Sequence, residues 1–106
     1  MTTAEQKLAC AVIAQAIRDA MPKTYPDRYA TSNDRRQAKQ DMDEARIFLT
    51  AESGTWMQSR NNWCSIAGYD GESLRAKMRH AIRLYDEKWN SKAVARVKRK
   101  LKPVTA

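Results

Sequence analysis

Between Leu74 and Trp89 the apolar residues Leu74, Met78, Ala81, Ile82, Tyr85 and Trp89 recur at three- and four-residue intervals. Only an α-helix gathers such a set on one face, because its side chains return to the same side every 3.6 residues. The same period runs through Leu8, Val12, Ile13, Ala16, Ile17 and Ala20, through Ala38, Met42, Ala45, Phe48 and Leu49, and through Trp56, Arg60, Trp63, Cys64 and Ala67. No segment shows the alternation of a strand laid on a core. The chain is therefore expected to be all-α, a compact bundle of about four helices. Its 106 residues support one core, since a chain this short buries too little surface to build two.

Punctuation residues divide the helices. Thr3 and Gln6 have the spacing of a capping box, and Pro22 ends the first helix. Pro22 to Asn33, with Pro26, Thr31 and Ser32, reads as an ordered linker. A second helix is expected from about Asn33 to about Glu52, and Ser53-Gly54-Thr55 supplies the start of a third. Gly68 suits the left-handed C-cap that closes it, and Asp70 suits the N-cap of the fourth. Beyond Asn90-Ser91 the apolar pattern weakens, with Ala93, Val94, Val97 and Leu101 forming at most a separate short helix before Pro103. Residues 1–91 accordingly read as the bundle and residues 92–106 as a basic C-terminal extension, in effect a flexible arm.

Charge is divided unequally. Residues 1–53 carry eight basic and eight acidic side chains, whereas residues 54–106 carry twelve basic and four acidic, so the net +8 belongs to the second half. Such asymmetry points to nucleic acid or another polyanion. No apolar stretch reaches membrane-spanning length, so no membrane partner is expected. The N-terminal residues lack the features of a secretory signal, which points to a cytoplasm, that of a bacterial host on the resemblance given below. Cys10 and Cys64 lie 54 positions apart without the spacing of metal ligands, and both read as buried thiols. Neither a metal nor another cofactor is expected.

Catalysis has little support, because His80 is the one histidine and stands in a basic run without a nucleophile motif. The acids Asp41, Asp43 and Glu44 read as a solvated helix face. The informative segment runs from Arg60 to Arg79: helix, glycine turn, helix. Cys64, Gly68, Tyr69 and Leu74 occupy the small, turn and apolar positions of a helix-turn-helix. Lys77 stands where an apolar residue is usual, and Asp70 and Glu72 stand where phosphates would approach. Arg75, Arg79 and Arg83 follow one another four apart, about 6 Å per step along one edge, a spacing that suits successive phosphates. The expected nucleic-acid-binding residues are Arg60, Arg75, Lys77, Arg79 and Arg83, joined by Arg96, Lys98, Arg99 and Lys100 of the tail. Trp56, Trp63, Tyr85 and Trp89 fall on apolar stripes and read as core, while Tyr25 and Tyr29 are placed to staple the linker onto the bundle.

Ala45-Arg46-Ile47-Phe48-Leu49, then Trp56, then Trp63-Cys64-Ser65-Ile66-Ala67-Gly68-Tyr69-Asp70 and Leu74-Arg75 resemble small helix-turn-helix-like proteins encoded by bacteriophages and prophages. In those proteins a proline commonly follows the aspartate, where this chain has Gly71. The resemblance implies a phage origin and a helical hairpin, and carries no activity of its own. With the charge pattern, it leads us to expect a phage-encoded DNA-binding regulator. The rival expectation is an inhibitor whose basic face occupies a host protein such as RNA polymerase or a CRISPR effector. Homodimerisation through Val94, Val97 and Leu101 is a further expectation.

Overall fold

The computed structural model describes residues 3–100, and of Lys100 the backbone only. The protein is all-helical: α1 (Ala4–Ala20), a single 3-10 turn (Pro26–Arg28), α2 (Ser32–Thr50), α3 (Gly54–Ala67) and α4 (Gly71–Lys100). Leu101, Lys102 and Pro103, counted above in the tail, lie outside the described residues, as does the Lys100 side chain.

Helices α1 and α2 start at side-chain caps, whereas Ser53 precedes α3 without a side-chain cap bond. Thr3 and Gln6 form the reciprocal capping box of α1, and Thr31 accepts the amide of Asp34 to start α2. Helix α3 ends in a Schellman arrangement: Gly68, at φ 88°, donates its amide to the Ser65 carbonyl, and Tyr69 donates to Cys64. Gly71 is buried against Asn61, and a Cβ there would collide with that side chain. The absence of a side chain at Gly71 thus lets α4 begin in contact with α3.

Asp70 caps α4. The Ser73 hydroxyl donates to its carboxylate at 2.8 Å, and the amides of Ser73 and Glu72 add to this. These bonds hold the carboxyl below its ordinary pKa, against the opposing effect of desolvation. A depressed folded-state pKa contributes stability that is present above the unfolded value, near 3.9, and fades as pH falls through the folded one. Asp70→Asn should therefore flatten the loss of thermal stability below about pH 4. Melting curves for both proteins that decline in parallel would remove Asp70 from the account.

The core forms where the four stripes meet. Ala20, Ala45, Phe48, Leu49 and Met78 are its buried centre, with Ile17, Trp63, Leu74 and Ile82 packed around them. Arg46 ties three helices across one edge: its Nε donates to the Ala20 carbonyl at 3.0 Å, and its two terminal nitrogens grip Asp86 at 2.8 and 2.9 Å. Within Ala45–Leu49, three residues thus belong to the core and Arg46 is a clamp. Cys64 is fully buried, and burial pushes its thiol pKa up, so it behaves as a small hydrophobe. Trp56, expected in the core, is 46% exposed, and Tyr69, placed at the apolar position after the turn glycine, is 58% exposed. Trp56 stands in the first turn of α3, at the rim of a groove it shares with Val12, Ala16 and Phe48, and Tyr69 stands in the turn after α3.

The largest departure is α4. It runs unbroken for 30 residues, about 45 Å at 1.5 Å per residue. Asn90-Ser91 does not interrupt it, and residues 92–100 continue the helix instead of forming a loose arm or a separate short helix. No proline or glycine occurs between Gly71 and Pro103, and Lys, Ala and Arg are good helix formers. From Asn90 to Arg99 every residue is exposed, so this end extends beyond the bundle. No helix of the described residues is long and apolar enough to cross a membrane.

Candidate nucleic-acid interface

The residues expected to meet nucleic acid fall into three environments. Arg60 is in none of the exposed ones: it is fully buried. Its Nη1 donates to the Ala51 and Leu49 carbonyls at 2.6 and 3.4 Å, and its Nη2 donates to Asn61 and to Glu72 at 3.2 and 3.3 Å. A polar residue on the apolar stripe of α3 thus closes the C-terminal end of α2, and it is not available to a phosphate.

In the row along α4 Arg75 is partly buried and Arg79 and Arg83 are exposed, and the row is partly neutralised. Arg75 bonds Glu72 at 2.9 Å and Glu52 at 3.2 Å, and Arg79 bonds Glu52 at 3.0 Å. Within α4 the stretch from Arg75 to Arg83 has no acid, but the connection between α2 and α3 delivers one, Glu52, from 23 positions upstream of Arg75. The groove alongside is lined by Glu52, Asp86 and Glu87 as well as Arg79 and Arg83. Arg83 contacts His80 at 3.1 Å. Lys77 is exposed, roughly 200° round the helix from Arg75, and does not belong to the row.

No family model, curated protein or solved structure matches the chain. The functional reading therefore rests on its own geometry.

The third environment is the end of α4. Lys92, Arg96 and Arg99 continue the stripe of Tyr85 and Trp89 at three- and four-residue spacing, so the face that is apolar inside the bundle becomes basic as it leaves. Lys98 lies roughly 160° round the helix from Arg96, on the side of Val94, so the basic charge of this end is carried on both sides. Where the helix emerges, Tyr25, Tyr85 and Trp89 form an aromatic cluster with ring centroids 5.5 to 6.3 Å apart. Arg28 lies 5.5 Å from the Trp89 ring centre and Lys92 lies 5.0 Å from it. The Tyr25 hydroxyl donates to Asp86, and that of Tyr85 donates to the Pro22 carbonyl, which holds the linker against α4. Burial raises the pKa of both tyrosines, so they stay neutral donors. Tyr25 staples the linker as expected, whereas Tyr29 is 39% exposed.

Arg28, Lys92 and Trp89 are the members of this face that the expected site omitted. Lys92 was legible, standing three residues after Trp89, but Arg28 arrives from the linker by tertiary packing alone. The acids Asp41, Asp43 and Glu44 lie on a solvated face, satisfied by Gln37, Lys39 and Gln40 four residues before each. Among the described residues no three His, Cys, Asp or Glu side chains converge as a metal site would require.

Proposed function

We propose that this chain is a phage-encoded DNA-binding protein, of the regulator type, that holds duplex DNA with the projecting end of α4. One observation carries the reading: from Ser91 to Arg99 an exposed helix presents Lys92, Arg96, Lys98 and Arg99 with no acid among them. A basic helix of this kind fits the major groove and neutralises phosphates on either side, which gives affinity with little dependence on sequence. Arg28 widens the basic face at its root. Arg75 and Arg79 contribute less than their spacing suggests, because each phosphate contact must first displace a carboxylate.

Fluorescence anisotropy of a labelled random duplex, at several salt concentrations, tests the proposal. Association that falls steeply with salt is expected. Replacing Arg75 and Arg79 together by Ala should lower the log-log slope by clearly less than the roughly 1.8 units that two full phosphate contacts contribute. A drop of the full amount would return the site to the arginine row. Wild-type protein that ignores duplex DNA at low salt would overturn the proposal. The host-protein reading would then lead, and it has an observation of its own. Val94 and Val97, 54% and 53% exposed, form an apolar strip on the projecting helix that DNA has no use for. The same strip would serve a homodimer.

A further inference from the structure

The balanced charge of the first half conceals a local excess. Tyr25, Pro26 and Met42 line a cleft of about 430 Å³ together with Arg35, Arg36 and Lys39. Asp27 is the one acid of the lining, and it faces Arg28 at 3.7 Å. Pro26 and Met42 are buried, so the floor is apolar and firm.

Two of the rim cations stand where the dipole of their helix does not favour positive charge. Arg35 and Arg36 are the fourth and fifth residues of α2, close to the positive end of its dipole, where cations are disfavoured and anions are attracted. Arg35 is fixed there by donating Nη1 to the Tyr29 and Ala30 carbonyls at 2.9 and 3.0 Å. Arg36 is exposed and makes no side-chain hydrogen bond or ion pair among the described residues. Lys39 pairs only with the half-buried Asp43, at 2.9 Å. Tyr25 also belongs to the aromatic cluster with Trp89, so the cleft adjoins the root of the basic face.

We propose that this cleft binds a nucleoside monophosphate unit, with its base on the floor of Tyr25, Pro26 and Met42 and its phosphate held by Arg35, Arg36 and Lys39. An inorganic anion would leave the apolar floor uncovered, and a neutral aromatic would leave the guanidinium rim unused. A ligand with a flat apolar part and a dianionic end uses both, and the volume falls in the range of small-ligand sites. The site is distinct from the DNA-holding end of α4, and its failure would leave that reading standing.

The test titrates the full chain with deoxyadenosine monophosphate, with deoxyadenosine and with inorganic phosphate, followed by amide shifts in residues 25–42. The nucleotide should bind at least about tenfold more tightly than either part. Replacing Arg36 and Lys39 together by Ala should weaken it about tenfold, as the loss of two charge-assisted contacts implies. Both side chains are exposed, so the fold survives. Replacing Lys7 and Arg18 by Ala, the same charge removed from α1, should leave nucleotide affinity within about twofold. A single-stranded oligodeoxynucleotide forms the second arm. If it binds more tightly than the mononucleotide and loses that advantage in the Arg36/Lys39 variant, the nucleotide comes from a strand. If its binding ignores those substitutions while the mononucleotide's does not, the ligand is a free nucleotide. A nucleotide that binds no better than phosphate, or two double variants that behave alike, would overturn the proposal.

Discussion

Arg60→Ala is expected to destabilise the protein by about 3 to 5 kcal/mol, more than any surface charge change. The substitution empties the volume of a fully buried side chain and strips donors from the carbonyls of Leu49 and Ala51, the carboxamide of Asn61 and the carboxylate of Glu72. Glu72 is half exposed and can turn to water, so most of the loss comes from the two carbonyls and the cavity. A domain of this size has a total stability of roughly 5 to 15 kcal/mol, so the variant should be at the margin of folding. Arg60→Met keeps much of the volume without the donors, and should recover the packing part alone. Urea denaturation followed by circular dichroism measures both. A loss below about 1 kcal/mol for Arg60→Ala would mean that water replaces the guanidinium and that the clamp is dispensable.

Replacing Lys92, Arg96, Lys98 and Arg99 together by Ala should lower the salt slope of duplex binding by up to about 3.6 units, since each phosphate contact contributes about 0.9. The affinity loss should be alike for unrelated duplex sequences, because a phosphate track carries no base information. All four side chains are exposed, and alanine is the best helix former, so α4 should keep its length and the bundle its stability. Far-UV circular dichroism of the variant checks that condition before binding is measured. An unchanged slope would remove the end of α4 from the interface.

The four helices, their capping residues and the glycine turn are written locally. Each depends on residues within one or two turns of each other: Thr3 with Gln6, Gly68 with Cys64 and Ser65, and Asp70 with Ser73. Periodicity likewise picked out Met42, Ala45, Phe48, Leu49 and Met78 as core, because a buried stripe is a property of one helix. The continuity of α4 was also in principle legible, since nothing between Gly71 and Lys100 breaks a helix. A fading apolar stripe there marks the end of burial, not the end of the helix.

Electrostatic roles were decided elsewhere. An arginine on a helical stripe looks the same in sequence whether it meets solvent or a neighbouring helix end, and only packing turned Arg60 into a clamp and Arg46 into a three-helix tie. The stretch from Arg75 to Arg83 contains no acid, yet Glu52 reaches Arg75 and Arg79 from the connection between α2 and α3. Arg28 joins Trp89 across 61 positions, and Arg35, Arg36 and Lys39 acquire an apolar floor only when the linker folds over α2. Helix formation and capping are short-range and can be read along the chain. Which charges are paired, buried or left facing water depends on distances between helices, and those exist only once the bundle is closed.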